Sequence, residues 1–299
     1  MRSHDETFKP VRSGKRRFDD EETFSKRGQR RRLEVVEDVP DEGARWSTWD
    51  QSTPTERGPL PYPDWLVTEL AATDTELGVL KTGKEADVFL IERGVPNTDR
   101  RCLLAAKRYR ASEHRMFHRD AGYLEGRRVK ESRTNRAMSA RTSFGKEVIA
   151  GQWAASEFAA LSRLYTMGVP VPYPVQILGT EVLLEFIADG SSAAPRLAQF
   201  RQDTADLPDL WRQLVWALSL MARGGWAHGD LSAYNLLVQG GRLVVIDLPQ
   251  IVDVVANPRG RQFLTRDANN VATRFQSHGV VEADGEALAA DLCHEAGLR

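Results

Sequence analysis

Asp230, Asn235 and Asp247 have the residue types and the spacing for one defined chemistry. In "HGDLSAYNLLV" a carboxylate stands five residues before a carboxamide, and a second carboxylate closes the apolar run "LVVID". Hard oxygen donors of this kind suit a magnesium ion, and a carboxylate left over can orient a hydroxyl nucleophile. That is the composition a phosphoryl-transfer site needs. Asp and Asn so spaced also occur in ordinary turns, where they satisfy nearby backbone amides. Here the runs "NLLV" and "LVVID", split by "QGG", read as a tight hairpin that returns Asp247 to the neighbourhood of Asn235.

Two charges upstream stand where apolar residues are expected. Lys107, in "LLAAKRY", shares a strand face with Ala105 and Leu103, and Glu157 lies four residues after Trp153 and four before Leu161, on the apolar stripe of a helix. A lysine at a strand end can snorkel to water, but two inward charges of opposite sign point to each other. Protein kinases pair such a lysine and glutamate to hold phosphates, and they write the downstream motif His-Arg-Asp-x-x-x-x-Asn followed by Asp-Phe-Gly. This chain has His-Gly-Asp-x-x-x-x-Asn and Asp-Leu-Pro. The stretch "GVLKTGKEAD" nearly spells the phosphate loop Gly-x-x-x-x-Gly-Lys-[Ser/Thr], but Glu85 replaces the hydroxyl. A strand-like run, "ADVFLIE", follows it where a helix belongs, and "AATDTEL" before it has no apolar run long enough for a strand.

The elements that must position these residues follow from composition and pattern. Residues 1–58 are charged and poor in aliphatic residues, which predicts a disordered tail; its basic segment 25–34 is a candidate contact for RNA or a ribosomal particle. A Pro-rich entry from Pro59 predicts a short helix capped at Asp64. "ADVFLIERG" and "RCLLAAKRYR" predict an antiparallel pair, and residues 111–148 a polar, mobile insert with some helix. Helices are predicted over "AGQWAASEFAALSRLYTMG", "LPDLWRQLVWALSLMARGG", "NPRGRQFLTRDANNVATRFQSHG" and "DGEALAADLCHEAG", with a buried strand at "EVLLEFI". The formal net charge of −1 supplies no overall field for nucleic acid or an anionic membrane. The two cysteines lack metal or disulfide spacing, and no signal-peptide or membrane-spanning run is present, so a soluble cytoplasmic protein is expected.

Taken together, "TGKEADVF", "AAKRY", "WAASEF", "LLEFI", "HGDLSAYNLLV", "VVIDLPQ" and "FLTRDANNVATRF" resemble the RIO-type atypical protein kinases, nearest to the RIO-one subfamily, and run in that family's order from Leu77 to Val280. The resemblance implies an α+β, bilobal kinase-like fold. It has a β-rich N-lobe (59–183, with the insert 111–148), a hinge (184–190) and a reduced helical C-lobe (191–299) that lacks the activation segment and substrate-binding helices. It implies that Thr82, Gly83, Lys84 and Glu85 cover the ATP phosphates, with Val88 also lining the nucleotide, and that Lys107 pairs with Glu157. The backbone of Glu185 and Ile187 would hold adenine, with Leu184 as the gate. Asp230 would be the catalytic carboxylate, and Asn235 and Asp247 would hold magnesium, or manganese in its place.

The implied activity is transfer of the ATP γ-phosphate to a Ser or Thr hydroxyl of an unidentified protein, with autophosphorylation at Ser132, Thr134, Ser139, Thr142 or Ser143 of the insert. Two alternatives stay open. One is an ATPase switch acting on ribosomal particles, favoured by the missing substrate platform. The other is a small-molecule kinase of aminoglycoside or choline type, which "TGKEAD" argues against. The chain departs from the family at Lys81, which puts a positive charge where a serine is usual, and at Pro249, where a small polar residue is common.

Overall fold

A computed structural model describes residues 43–110, 143–190, 192–200 and 206–298. Its N-terminal half is a six-stranded antiparallel sheet in the order β1-β2-β3-β4-β6-β5. The strands are β1 (Ala44–Trp46), β2 (Thr73–Thr82), β3 (Ala86–Gly94), β4 (Arg101–Tyr109), β5 (Pro174–Leu178) and β6 (Glu181–Glu185). One face carries Ile91, Leu104, Ala106 and Leu183. They pack with Trp49, Leu66, Tyr173 and Val175, so the segment before β2 covers this face. Against the other face lies helix α1 (Ser143–Thr166), whose Ala150, Ala154 and Phe158 meet Ala86, Tyr109 and Val182.

Three expectations are corrected here. Residues 43–58, expected within a disordered tail, include β1 paired to β2 and the buried Trp49. Few aliphatic residues are needed for this, because the sheet supplies most of the apolar surface. "TDTELGVLKT" is a strand despite lacking apolar alternation, since its backbone is paired to β3 along its length and to β1 at Thr73–Thr75. No helix begins at Asp64; residues 59–72 run as turns and irregular chain, a segment where three prolines deny backbone donors. The basic segment 25–34 and residues 111–142 of the insert lie outside the described residues, while 143–148 open α1.

The second half begins with two short pairs of residues, β7 (Ala188–Asp189) and β8 (Ser192–Ala193). Helix α2 (Leu207–Arg223) follows, its first turn capped by Asp206, whose carboxylate accepts from the Asp209 amide. Leu210, Leu214, Ala217, Leu218 and Met221 recur at helical spacing and are buried. β9 (Trp226–Ala227), the hairpin β10 (Leu236–Gln239) and β11 (Arg242–Val245), and β12 (Val252–Asp253) come next. The hairpin turns on Gly240 and Gly241, with φ of 54° and 81°. Such left-handed values suit a two-residue turn and favour glycine at both positions. β12 pairs with β9, returning the chain past the hairpin, and α3 (Gly260–Gln276) and α4 (Gly285–Glu295) close the helical core. No helix among the described residues is long and apolar enough to cross a membrane.

Candidate active site

Lys107 is the centre of the site. Its Nζ donates to Glu157 Oε1 at 2.6 Å and to Asp247 Oδ1 at 2.8 Å, joining β4, α1 and the end of the β10–β11 hairpin. Glu157 is 1% exposed and spends its second oxygen on the Tyr109 hydroxyl, which donates to it at 2.5 Å. Burial works against the Lys107 charge, but the two carboxylates overcome it and hold the ammonium above its ordinary range. For Asp247 burial pushes upward, but the nearby cations, Lys107 foremost, together outweigh it, so its carboxyl lies below the usual range. Asp247 has φ of 67°, a left-handed conformation that Asp tolerates better than most residues.

The hairpin brings the other two residues to the same place. The Ile246 amide donates to the Asn235 carbonyl at 2.9 Å, which sets Asn235 beside the residue that precedes Asp247. The Asn235 carboxamide in turn donates through Nδ2 to the Asp230 carbonyl at 2.9 Å, fixing the loop between them. Asp230 itself is exposed. Its amide donates to His228 Nδ1 at 3.4 Å, while His228 Nε2 meets the Ile246 carbonyl at 3.0 Å. Gly229 occupies the place of the kinase arginine for a steric reason. Its φ is 87°, and a Cβ there would stand 2.4 Å from the Gln250 carbonyl oxygen.

Two contributors were not assigned roles from sequence. Tyr109 shares the face of Lys107, and strand alternation alone would have found it. Asp267 of α3 accepts from the Gly229 amide at 2.7 Å and the Leu231 amide at 3.1 Å, clasping the loop that carries Asp230. Burial pushes its carboxyl up, against the pull of His228 and those two amides. The signal was available, since Asp267 lies three residues after Leu264 and four before Val271 on the buried stripe of its helix.

The other expected residues are spread over the cleft. Val88 lies directly opposite Lys107, and Leu184 directly opposite Ala105, on the same sheet face. The Glu185 amide is committed to the Tyr173 carbonyl at 2.8 Å, and its carboxylate accepts from the Tyr173 amide at 3.0 Å. Burial raises that carboxyl above its ordinary range. The Ile187 carbonyl takes the Ala194 amide at 2.9 Å. In the turn between β2 and β3 the Gly83 amide donates to the Ala86 carbonyl at 3.0 Å, and Lys84 and Glu85 are exposed at its tip. Thr82 is held apart. It pairs with Asp87, facing away from Lys107, and its hydroxyl bonds the Asp87 carboxylate.

An antiparallel sheet with one crossing helix, a Lys–Glu pair, and a carboxylate-bearing loop before a hairpin defines a reduced kinase-like molecule. A RIO domain family model matches residues 98–288, and the chain belongs to that family. It is 34% identical over 212 residues to the RIO-type serine/threonine-protein kinase Rio1 of Haloferax volcanii, covering 71% of this chain and 66% of that protein. Against the serine/threonine-protein kinase RIO1 of Chaetomium thermophilum identity is 32% over 213 residues, covering 68% of this chain and 40% of the relative. Against the serine/threonine-protein kinase RIO3 of Bos taurus it is 28% over 220 residues, covering 71% and 41%. The chain thus spans less than two thirds of the length of these relatives.

Proposed function

We propose that this protein is an ATP- and magnesium-dependent serine/threonine kinase of RIO type. The observation that carries the reading is the Lys107 ammonium shared between Glu157 and Asp247, with Asp230 on a clasped loop beside them. Lys107 would neutralise the α- and β-phosphates, with Glu157 fixing where its ammonium points. The Asn235 carboxamide and the Asp247 carboxylate offer the hard oxygens that suit magnesium, or manganese. An ion held by these two side chains would supply positive charge to neutralise the phosphates. Since the Glu185 amide is taken, the adenine contact at that residue would fall to its carbonyl, with the Ile187 amide as the second.

Asp230 would accept a hydrogen bond from the acceptor hydroxyl and line it up with the γ-phosphorus. In this mechanism positioning and electrostatics carry the rate. Autophosphorylation is part of the same reading, with acceptors in segment 132–143.

A second reading, an ATP-hydrolysing switch on a ribosomal particle, is favoured by one observation. Asp247 connects to α3 through residues 248–259, with only β12 and turns between, so this stretch holds no substrate platform. Incubation with labelled ATP and magnesium separates the two. The kinase reading expects stable label on protein Ser or Thr that disappears in Asp230→Asn and Asp247→Asn. Rapid phosphate release without such label supports the switch, and absence of labelling, hydrolysis and ATP binding rejects both.

A further inference from the structure

Lys81 lies just before the turn that covers the cleft, and a local irregularity decides where it points. β2 pairs with β3 through Val79↔Phe89 and then Lys81↔Val88, so Leu80 is an extra residue in a β-bulge. Without it Lys81 would stand opposite Asp87, on the face of Phe89 and Arg108. With the bulge it stands opposite Val88, which stands opposite Lys107. Directly opposed residues project to one face of a sheet. Lys81, Val88 and Lys107 therefore form a row across three strands, and strand spacing puts the two lysine Cα atoms about 10 Å apart.

The cations of the neighbouring strands β3 and β4 have carboxylate partners. Arg93 pairs with Asp74, Arg101 with Glu92, Arg108 with Glu76 and Glu181, Arg110 with Asp87, and Lys107 with Glu157 and Asp247. Lys81 is exposed and makes no ion pair with a described residue. Two ammonium groups on one face, with Val88 between them, bracket a space suited to a polyphosphate chain.

We infer that Lys81 is a phosphate-binding residue of the nucleotide site. It meets the terminal phosphate oxygens of ATP from the β2 side, while Lys107 meets the inner ones. The inference rests on the kinase reading above and adds a cation to it. The bulge is then a functional feature, since it turns Lys81 from the outer face to the cleft.

Calorimetric titration of the full chain with ATP, ADP and adenosine, in magnesium, tests this for wild type, Lys81→Met, Lys81→Arg and Lys107→Met. A charge-assisted contact to phosphate predicts that Lys81→Met weakens ATP about tenfold and ADP less, and changes adenosine by no more than about twofold. Lys81→Arg should recover most of the ATP affinity. Equal weakening of ATP and adenosine, or an unchanged ATP affinity, overturns the assignment. If wild type prefers ATP over adenosine and only Lys107→Met abolishes that preference, Lys81 is excluded and the kinase reading stands. If wild type shows no preference for ATP, both fall together.

Discussion

Glu157 holds together a lysine and a tyrosine, and it is the acceptor of the buried Tyr109 hydroxyl. Glu157→Ala leaves the Tyr109 hydroxyl without its acceptor and Lys107 with one carboxylate instead of two, so a loss of about 3 kcal/mol is expected. Tyr109→Phe removes a single hydrogen bond and should cost about 1 kcal/mol. Thermal or urea unfolding of the two variants measures both, and equal losses would show that the ion pair adds nothing to the fold. The same cluster sets a pH dependence. Asp247 has a carboxyl held low by Lys107, so its contribution is complete above the unfolded value and is lost as pH falls through the lower folded value. Lys107, held above its ordinary range, stays charged throughout. The Tm difference between wild type and Asp247→Asn should therefore be constant between about pH 8 and pH 5 and shrink below about pH 4. A difference that persists unchanged to about pH 3, or grows on acidification, contradicts the pairing.

Elements place these residues, and here sequence and structure part company in instructive ways. Asp230, Asn235 and Asp247 were legible because one loop and one hairpin set their spacing, and both are local features. Lys107 and Glu157 were legible because each breaks the apolar pattern of its own element. β2 was not, since its residues are largely exposed and its order comes from pairing with its neighbours. The facing of Lys81 was equally hidden, because a bulge is a property of two strands read together. Asp267 acts from α3 across nearly forty residues of chain, and only the fold joins it to the loop. Asp267→Ala orphans two buried amides, and the loop that presents Asp230 should loosen. If Asp230 works as proposed, kcat falls about 10- to 100-fold, in keeping with loss of one positioning group. The ATP dissociation constant, set by other elements, changes little. Steady-state kinetics beside a binding titration checks the split; a matching loss of ATP affinity would make Asp267 a general structural residue instead of a support for the loop.

Across the whole molecule, the N-terminal sheet separates stability from chemistry by face. The face toward α1 and the helical half carries Lys81, Val88, Ala105, Lys107 and Tyr109, among them the two lysines of the cleft. The opposite face is sealed by the segment before β2. Trp49 is 5% exposed, packs edge-on to Tyr62 and takes the Arg57 guanidinium over its ring at 4.7 Å. Behind it, Arg93 is fully buried in a fork to Asp74, at 2.6 and 2.9 Å, and also donates to Gln176, whose amide reaches Thr48. This network ties the covering segment to β2, β3 and β5. It consists of groups whose partners are all inside the lobe, so it needs nothing from the cleft. Trp49→Ala should accordingly cost about 3 to 4 kcal/mol through the cavity it leaves. In a domain of this size that lowers Tm by roughly 6 to 15 °C. Well below the transition, ATP affinity and phosphoryl transfer should stay within about twofold of wild type, because the sheet lies between Trp49 and the Lys107 face. Differential scanning calorimetry and activity at low temperature measure the two halves of this expectation. A variant that loses ATP binding while still folded would show that the two faces are coupled through the sheet, and the separation would have to be abandoned.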